Sequence, residues 1–243
     1  MIELTAETGS TNSDLAARIA ASERMAEGDW LVADRQTGGK GRQGRTWFDG
    51  SGNFMGSTVV QLRPSDPPAP TLALLAGVAL YETVDPMVAD RGALTLKWPN
   101  DLLLDGAKLA GILLERVGDT VIVGIGVNLA TAPDLPDRQT VALSSLGCAC
   151  NRDTFAEALA AGFATELSRW RSFGIEPILR RWQDAAHLPG TPLRVHEPDG
   201  TTTSGTYAGM AEDGSLRLRL VDGTVRAIHA GDVMLASGNG QCC

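Results

Sequence analysis

Three lysines and eighteen arginines carry the positive charge of this chain, and all three lysines fall between residues 40 and 108. Each sits in a short segment marked by glycine or proline. Lys40 lies in Gln36-Thr37-Gly38-Gly39-Lys40-Gly41-Arg42-Gln43-Gly44-Arg45, Lys97 in Lys97-Trp98-Pro99-Asn100-Asp101, and Lys108 in Lys108-Leu109-Ala110-Gly111. Lysine and arginine are not interchangeable, because an ammonium is a compact point charge on a flexible stem and a guanidinium is a planar fork. The whole chain has a net charge of −8. Cations gathered in a few loops of an acidic protein point to a local anion site and disfavour a general nucleic-acid surface.

The stretch Gly39-Lys40-Gly41-Arg42-Gln43-Gly44 fits the dinucleotide fingerprint G-x-G-x-x-G. That fingerprint requires a helix directly after it, whose N-terminus meets the pyrophosphate. Here the next residues are Thr46-Trp47-Phe48-Asp49-Gly50-Ser51-Gly52-Asn53, with no helical periodicity. A Walker A loop fails as well, because Gly41 stands where Ser or Thr is needed after the lysine. Two readings fit: a solvated surface loop, or a glycine-loosened loop whose Lys40, Arg42 and Arg45 neutralise a polyanion that arrives and leaves.

Lys97-Trp98-Pro99-Asn100-Asp101 reads as a strand end and then a turn around a tryptophan. Lys108 opens the otherwise apolar Leu109-Ala110-Gly111-Ile112-Leu113-Leu114. A cation there either snorkels to water or is partnered by an anion, since burying it alone is costly.

The elements that must position these residues are read from periodicity and turn chemistry. Ser10 to Asp14 offers N-caps for a helix carrying Leu15, Ala16, Ile19 and Ala20 on one face, with Gly28 closing the pattern. Strands are expected at 30–33, 54–60 and 94–98, and a buried helix at 71–84. Asp105-Gly106 marks a hairpin between 102–104 and 108–116, and Gly118-Asp119 leads into a strand at 120–127. Helices are expected at 153–173 and 176–186. From Pro192 onward there are only short strands, separated by Asp199-Gly200, Asp213-Gly214 and Asp222-Gly223. These make a five-stranded barrel candidate, so residues 1–188 and 189–237 are read as two domains. The fold class is α+β: a mixed sheet flanked by helices, then a small β-barrel.

The 43% hydrophobic content suffices for a large core. The longest apolar run is too short to span a bilayer, and Met1 to Glu7 lacks signal-peptide character, so a cytoplasmic protein without membrane partners is expected. Cys148 and Cys150 form C-x-C, Cys242 and Cys243 end the chain, and the three histidines are scattered. Free thiols and no metal site are expected.

Taken in order, the segments resemble the catalytic domain of biotin protein ligases. The matching pieces are Ser10-Thr11-Asn12, the 36–45 loop with Thr46-Trp47-Phe48, then 97–101, 108–113, and Gly124-Ile125-Gly126-Val127-Asn128-Leu129. The resemblance implies a class II synthetase-like catalytic domain with a Src-homology-3-like C-terminal barrel. It implies two steps. The biotin carboxylate attacks the α-phosphate of ATP, delivered with Mg²⁺, to give biotinyl-5′-AMP and pyrophosphate. A lysine of the biotin carboxyl carrier protein then attacks that anhydride and AMP leaves.

By the same resemblance Lys108, Arg42 and Asp101 are catalytic, Lys108 standing between the carboxylate and the α-phosphate. Ser10, Thr11, Asn12, Gln36, Gly39, Lys40, Lys108 and Gly111 line the biotin site. Lys40, Gly41, Arg42, Arg45, Trp47 and Asn128 line the adenylate site, and Mg²⁺ needs no protein site because it arrives with ATP. The family more often has arginine at the position of Lys40, so this chain keeps the charge there and loses the bidentate fork. Ser10-Thr11-Asn12 comes almost at once, so the DNA-binding domain of some relatives is expected to be missing and no nucleic acid partner is expected. Either a homodimer or a monomer is compatible with these features. Two alternatives remain at this point: a lipoate-transferring relative, and a non-catalytic biotin or nucleotide sensor.

Overall fold

The computed structural model describes residues 1–148 and 150–236. Cys242, Cys243 and residue 237, the last of the expected second domain, lie outside the described residues. Among the described residues Cys148 and Cys150 are free thiols.

Seven strands form the main sheet: β1 (Ile2–Thr8), β2 (Trp30–Gln36), β3 (Phe54–Gln61), β4 (Leu94–Lys97), β5 (Asp101–Leu104), β6 (Ala107–Val117) and β7 (Thr120–Val127). Their spatial order is β1-β2-β3-β7-β6-β5-β4. β1 and β2 pair in parallel and the remaining pairs are antiparallel, so the sheet is mixed. Alternation along the strands divides its two faces. Phe54 and Val60 of β3, with Val121, Val123, Ile125 and Val127 of β7, point into one large core. That core is covered by α2 (Leu72–Val84), α3 (Arg152–Phe173) and α4 (Glu176–Asp184). On the opposite face Leu31, Val59 and Ile122 meet Leu15 of the short α1 (Thr11–Ala20). α1 covers only part of that face, and the uncovered remainder is where the chemistry-bearing residues converge.

In the helix layer Trp170 is fully buried and its Nε1 donates to Thr71 Oγ1 at 2.9 Å. Phe163 meets Trp30 edge to face at 5.7 Å, and Phe155 packs on Phe54 at 5.4 Å. A second, antiparallel sheet is built from β8 (Pro192–His196), β9 (Thr202–Met210), β10 (Leu216–Arg219), β11 (Val225–Ile228) and β12 (Asp232–Leu235), in the order β11-β10-β9-β8-β12. Among the described residues β11 and β12 are not hydrogen-bonded to each other, so the ladder is open at that seam. Its Asp-Gly turns form as the sequence predicts: Asp199, Asp213 and Asp222 each accept from the backbone N–H two residues on, at 2.9 Å. Leu193, Val195, Leu216, Leu218 and Val233 belong to the same continuous core as the helix layer.

Two departures from the sequence reading have physical causes. β1 is a strand the sequence analysis leaves unassigned; Ile2, Leu4 and Ala6 do alternate with polar residues, but as an edge strand it buries little. α1 ends at Ala20, well before Gly28, where Ser22 turns the chain at φ 60°.

Replacing Trp170 with Ala removes both the largest fully buried ring and its hydrogen bond, so a loss of roughly 3–5 kcal/mol in unfolding free energy is expected. Urea denaturation with an unchanged m-value checks it; an unmoved midpoint would contradict the burial of Trp170 in the helix layer.

Candidate active site

The open part of the α1 face is paved with glycine. Across four strands Asp101, Gly111, Gly126 and Met55 are in register, and on the neighbouring row Leu113, Gly124 and Ser57 are in register. Side chains opposite one another share a face, so the glycines leave a shallow bare strip. Trp47 lies on it. A Cβ built on Gly126 would fall 2.3 Å from Trp47 Cε2, and one on Gly111 would fall 3.1 Å from Trp47 Cζ3. On the same strip a Cβ at Gly124 would meet Asn12 Oδ1 at 2.3 Å. Glycine is required at 124 and 126 because those rings and amides approach the sheet backbone itself. The Trp47 Nε1 is buried without a partner among the described residues.

A line of buried polar groups borders the strip. Ser10 caps α1, its Oγ accepting from Ser13 N at 3.5 Å, and so fixes the two residues behind it. Thr11 N donates to Gln36 Oε1 at 2.7 Å. Thr11 Oγ1 lies 2.6 Å from Ser57 Oγ, Ser57 Oγ donates to Asn12 Oδ1 at 2.6 Å, and Asn12 Nδ2 donates to Glu115 Oε2 at 2.7 Å. Ser10, Thr11, Asn12, Gln36 and Ser57 are all buried. Such a line of fixed donors and acceptors on a dry face suits a small ligand with a polar ring and an apolar body.

The cations stand at the other end. The β5–β6 hairpin brings Lys108 Nζ to 2.7 Å from Asp101 Oδ1, with side chains 19% and 12% exposed. The ammonium also lies 5.7 Å from the Trp47 ring centroid. Lys97 is opposite Asp101 in the β4–β5 register, so it shares the face. Burial holds the Lys97 ammonium below the ordinary lysine range; Asp101 opposes that shift, while Lys108 and Arg138 add to it. The half-buried His187 is likewise lowered by burial and by the Lys97 charge. Asn128 is buried, and its Nδ2 donates to the carbonyls of Lys108 (3.4 Å) and Val141 (3.2 Å), while its Oδ1 has no partner among the described residues.

The glycine loop closes over this end. No helix comes after it, only a single 3-10 turn at Arg42–Gly44, which agrees with rejecting a dinucleotide fingerprint. Gly39 is buried under Trp47, where a Cβ would press at 3.1 Å on the Trp47 carbonyl oxygen. Gly41 N donates to Arg45 O at 2.7 Å and so shapes the turn. Arg42 donates to Asn100 Oδ1 at 3.2 Å and to Gly231 O at 3.4 Å. Arg45 pairs closely with Asp232. Lys40 is exposed, and its ammonium has no hydrogen-bond or ion-pair partner among the described residues.

Of the residues singled out from the sequence, the structure brings Thr11, Asn12, Gln36, Gly39, Trp47, Asp101, Lys108, Gly111 and Asn128 to one face, with Ser10 behind them and Arg42 at the rim. Lys40 and Arg45 stay on the exposed side of the loop. Sequence reasoning missed Ser57, Glu115, Asn100 as a ligand of Arg42, and the contribution of Gly231 and Asp232. A signal existed for two of them: Ser57 is a polar residue in an apolar strand, and Glu115 is four residues beyond Gly111 on the same side of β6.

Gly126→Ala should drive the indole of Trp47 off the sheet into water. A red shift of tryptophan emission is expected, and it should vanish when Gly126→Ala is placed in a Trp47→Phe background. Identical spectra in the two Gly126 forms would contradict the packing described here.

The comparison with known proteins agrees with this geometry. The family model of the biotin/lipoate A/B protein ligase family matches residues 8–129, a stretch that holds every glycine and polar residue of the strip. A biotin–[acetyl-CoA-carboxylase] ligase of Paracoccus denitrificans is 35% identical over 226 residues, covering 88% of this chain and 92% of that protein. One of Mycobacterium tuberculosis is 37% identical over 239 residues, covering 96% of this chain and 88% of that protein. A biotin protein ligase from Aquifex aeolicus, solved in complex with biotin and ATP, has the same fold: TM-score 0.83 at 23% identity, over 97% of this chain and 98% of that one. The glycine-paved strip, the polar line beside it and the lysine–aspartate pair at its end thus lie in a chain that belongs to the biotin/lipoate A/B protein ligase family.

Proposed function

We propose that this protein activates biotin with ATP to biotinyl-5′-AMP and transfers the biotin to a specific lysine of the biotin carboxyl carrier protein of acetyl-CoA carboxylase. The observation that carries the reading is the half-buried Lys108–Asp101 pair at the end of a glycine strip bordered by Thr11, Asn12, Gln36 and Ser57. No enzyme nucleophile is needed, because biotin supplies its own carboxylate. The obstacle is electrostatic. Two unit charges about 4 Å apart repel by roughly 4 kcal/mol at an effective dielectric near 20. Lys108 stands between the carboxylate and the α-phosphate and turns that repulsion into attraction, most strongly as charge builds in the transition state. Asp101 holds the ammonium in place and offers an anion to the incoming carrier amine.

The polar line takes the ureido ring of biotin, and leaving one of its groups unpaired costs about 1–3 kcal/mol. Ser10 acts through the helix start it caps. Trp47 shifts on the strip to pack beside the adenine, and the free Asn128 Oδ1 accepts from it. Lys40, Gly41, Arg42 and Arg45 fold over the adenylate and keep water from the anhydride. Mg²⁺ enters as the counter-ion of ATP. The residues 1–188 serve as the catalytic domain and 189–237 as a second domain that docks on it. No helix among the described residues is long and apolar enough to cross a membrane, and the cytoplasm, where carrier and ATP meet, is the proposed place of action. The two relatives named above are biotin ligases, which favours biotin over lipoate.

Incubation with biotin, ATP, Mg²⁺ and an apo carrier domain should give a carrier band on a streptavidin blot; lipoylation in place of biotinylation, or no modified carrier, would overturn the reading. Lys108→Ala should cut biotin-dependent pyrophosphate release by about 10²–10³-fold in a folded protein. Release at the wild-type rate would remove Lys108 from the chemistry.

A further inference from the structure

The segment between β7 and α3 returns along Lys108. Lys108 N donates to Gln139 O at 2.8 Å, Val141 N donates to Lys108 O at 3.1 Å, and Lys108 and Thr140 form a parallel bridge. A bridge between Leu135 and Arg138 closes the turn just before it. Arg138 is therefore held one residue from a fixed contact with the central lysine. Its direct partner is the neighbouring carboxylate of Asp137, 2.5 Å away, whose side chain is 58% exposed. Nε and Nη2 of Arg138 both donate to one oxygen of that carboxylate, which leaves Nη1 and the outer edge of the guanidinium fork for a ligand.

Arg138 also stands within electrostatic reach of Lys97, Asp101 and Asp232: it adds to the downward push that burial exerts on the Lys97 ammonium, and its own charge is held chiefly by Asp137, with smaller help from Asp101 and Asp232. Five cations therefore share this end of the strip: Lys97, Lys108, Arg42, Arg45 and Arg138. Three carboxylates answer them, and all are engaged: Asp101 by Lys108, Asp232 by Arg42 and Arg45, and Asp137 by Arg138. Lys97 itself is half-buried, and its ammonium has no hydrogen-bond or ion-pair partner among the described residues. The surplus of positive charge suits a polyanion, and a planar fork suits phosphate oxygens in particular.

We propose that Arg138 is a substrate-binding residue for the two phosphoryl groups of ATP that leave as pyrophosphate, reaching them from the segment after β7 and not from the glycine loop. The inference rests on the ligase reading above. In that reaction the carboxylate oxygen bonds to the α-phosphorus, the bond from that phosphorus to the bridging oxygen breaks, and the electron pair departs with pyrophosphate. Arg138 with Lys97 stabilises that departing charge.

The test uses the full chain with biotin, ATP and Mg²⁺, and inorganic pyrophosphate as product inhibitor. In Arg138→Ala the KM for ATP and the inhibition constant for pyrophosphate should each rise about tenfold, the KM for biotin should stay within about twofold, and Arg138→Lys should recover much of the loss. A purely structural role would act through the backbone bonds to Lys108 and move kcat and the KM for biotin instead. That pattern, or unchanged constants for ATP and pyrophosphate, overturns the proposal. Calorimetric titration of pyrophosphate into the protein without biotin separates the two readings. If the wild type makes no biotinyl-AMP yet binds pyrophosphate, and Arg138→Ala weakens that binding, the ligase reading falls and the polyphosphate site stands. No pyrophosphate binding by the wild type overturns the site.

Discussion

An ammonium placed over the middle of a sheet loses much of its water, and only a nearby anion makes that tolerable. The Lys108–Asp101 pair meets this condition at 2.7 Å. Much of the site is arranged around it. A hairpin with a tight Asp105-Gly106 turn puts both partners on adjacent strands, and an irregularity in the β5–β6 register between Leu102 and Leu103 adjusts where the lysine emerges. Gly111 gives the lysine stem room to curl back, since a Cβ there would lie 3.2 Å from Nζ. The backbone of Lys108 is held on both sides, by Gln139 and Val141 and through Asn128. The charge is thus fixed in place before any substrate arrives, which is what electrostatic catalysis requires.

Much of this was legible in the sequence because it is local. The turn residues of the β5–β6 hairpin, the apolar runs of β3, β6 and β7, and the helices α2, α3 and α4 each announce themselves within a window of a dozen residues. The glycine loop could be separated from a dinucleotide fingerprint by the non-periodic residues 46–53 directly after it, and the lone 3-10 turn agrees that no helix starts there. The features that stayed hidden depend on partners far along the chain. Asp232 lies 187 positions from Arg45, and no local pattern marks it. β1 stays unassigned although Ile2, Leu4 and Ala6 alternate with Glu3, Thr5 and Glu7, because its place at the sheet edge is set by pairing with β2, about 28 residues on. Arg138 looks like an ordinary loop arginine until the bridge between Lys108 and Thr140 shows where its segment returns.

The second sheet is bound into the first at the rim of the site as well as by a shared core. Gly231 O and Asp232 receive the guanidinium groups of Arg42 and Arg45, and Trp98 Nε1 donates to Gly214 O at 3.0 Å from the turn beside Asn100. Asn100 itself joins the loop to β6, accepting from Arg42 and donating to Ile112 O at 2.7 Å. The conformation of the glycine loop is therefore set by three parts of the chain at once: its own glycines, the Pro99 turn and the start of β12.

The buried line from Glu115 to Gln36 has a direction. A carboxylate can only accept, so Asn12 must turn its NH₂ toward Glu115 and its carbonyl toward Ser57. Ser57 then spends its single proton on Asn12, and its lone pairs are left to receive the proton of Thr11. Each hydroxyl along the row is committed in the same sense, like a file of people all facing one way. A visiting molecule finds the remaining lone pairs of Ser57 and Thr11 as acceptors, and the Gln36 amide as a donor, since its own oxygen already receives Thr11 N. Only a group that offers N–H toward the hydroxyls and C=O toward the amide can join without turning the file around. A cyclic urea does this, whereas an ester, a thioester or a bare disulfide ring has no hydrogen to give.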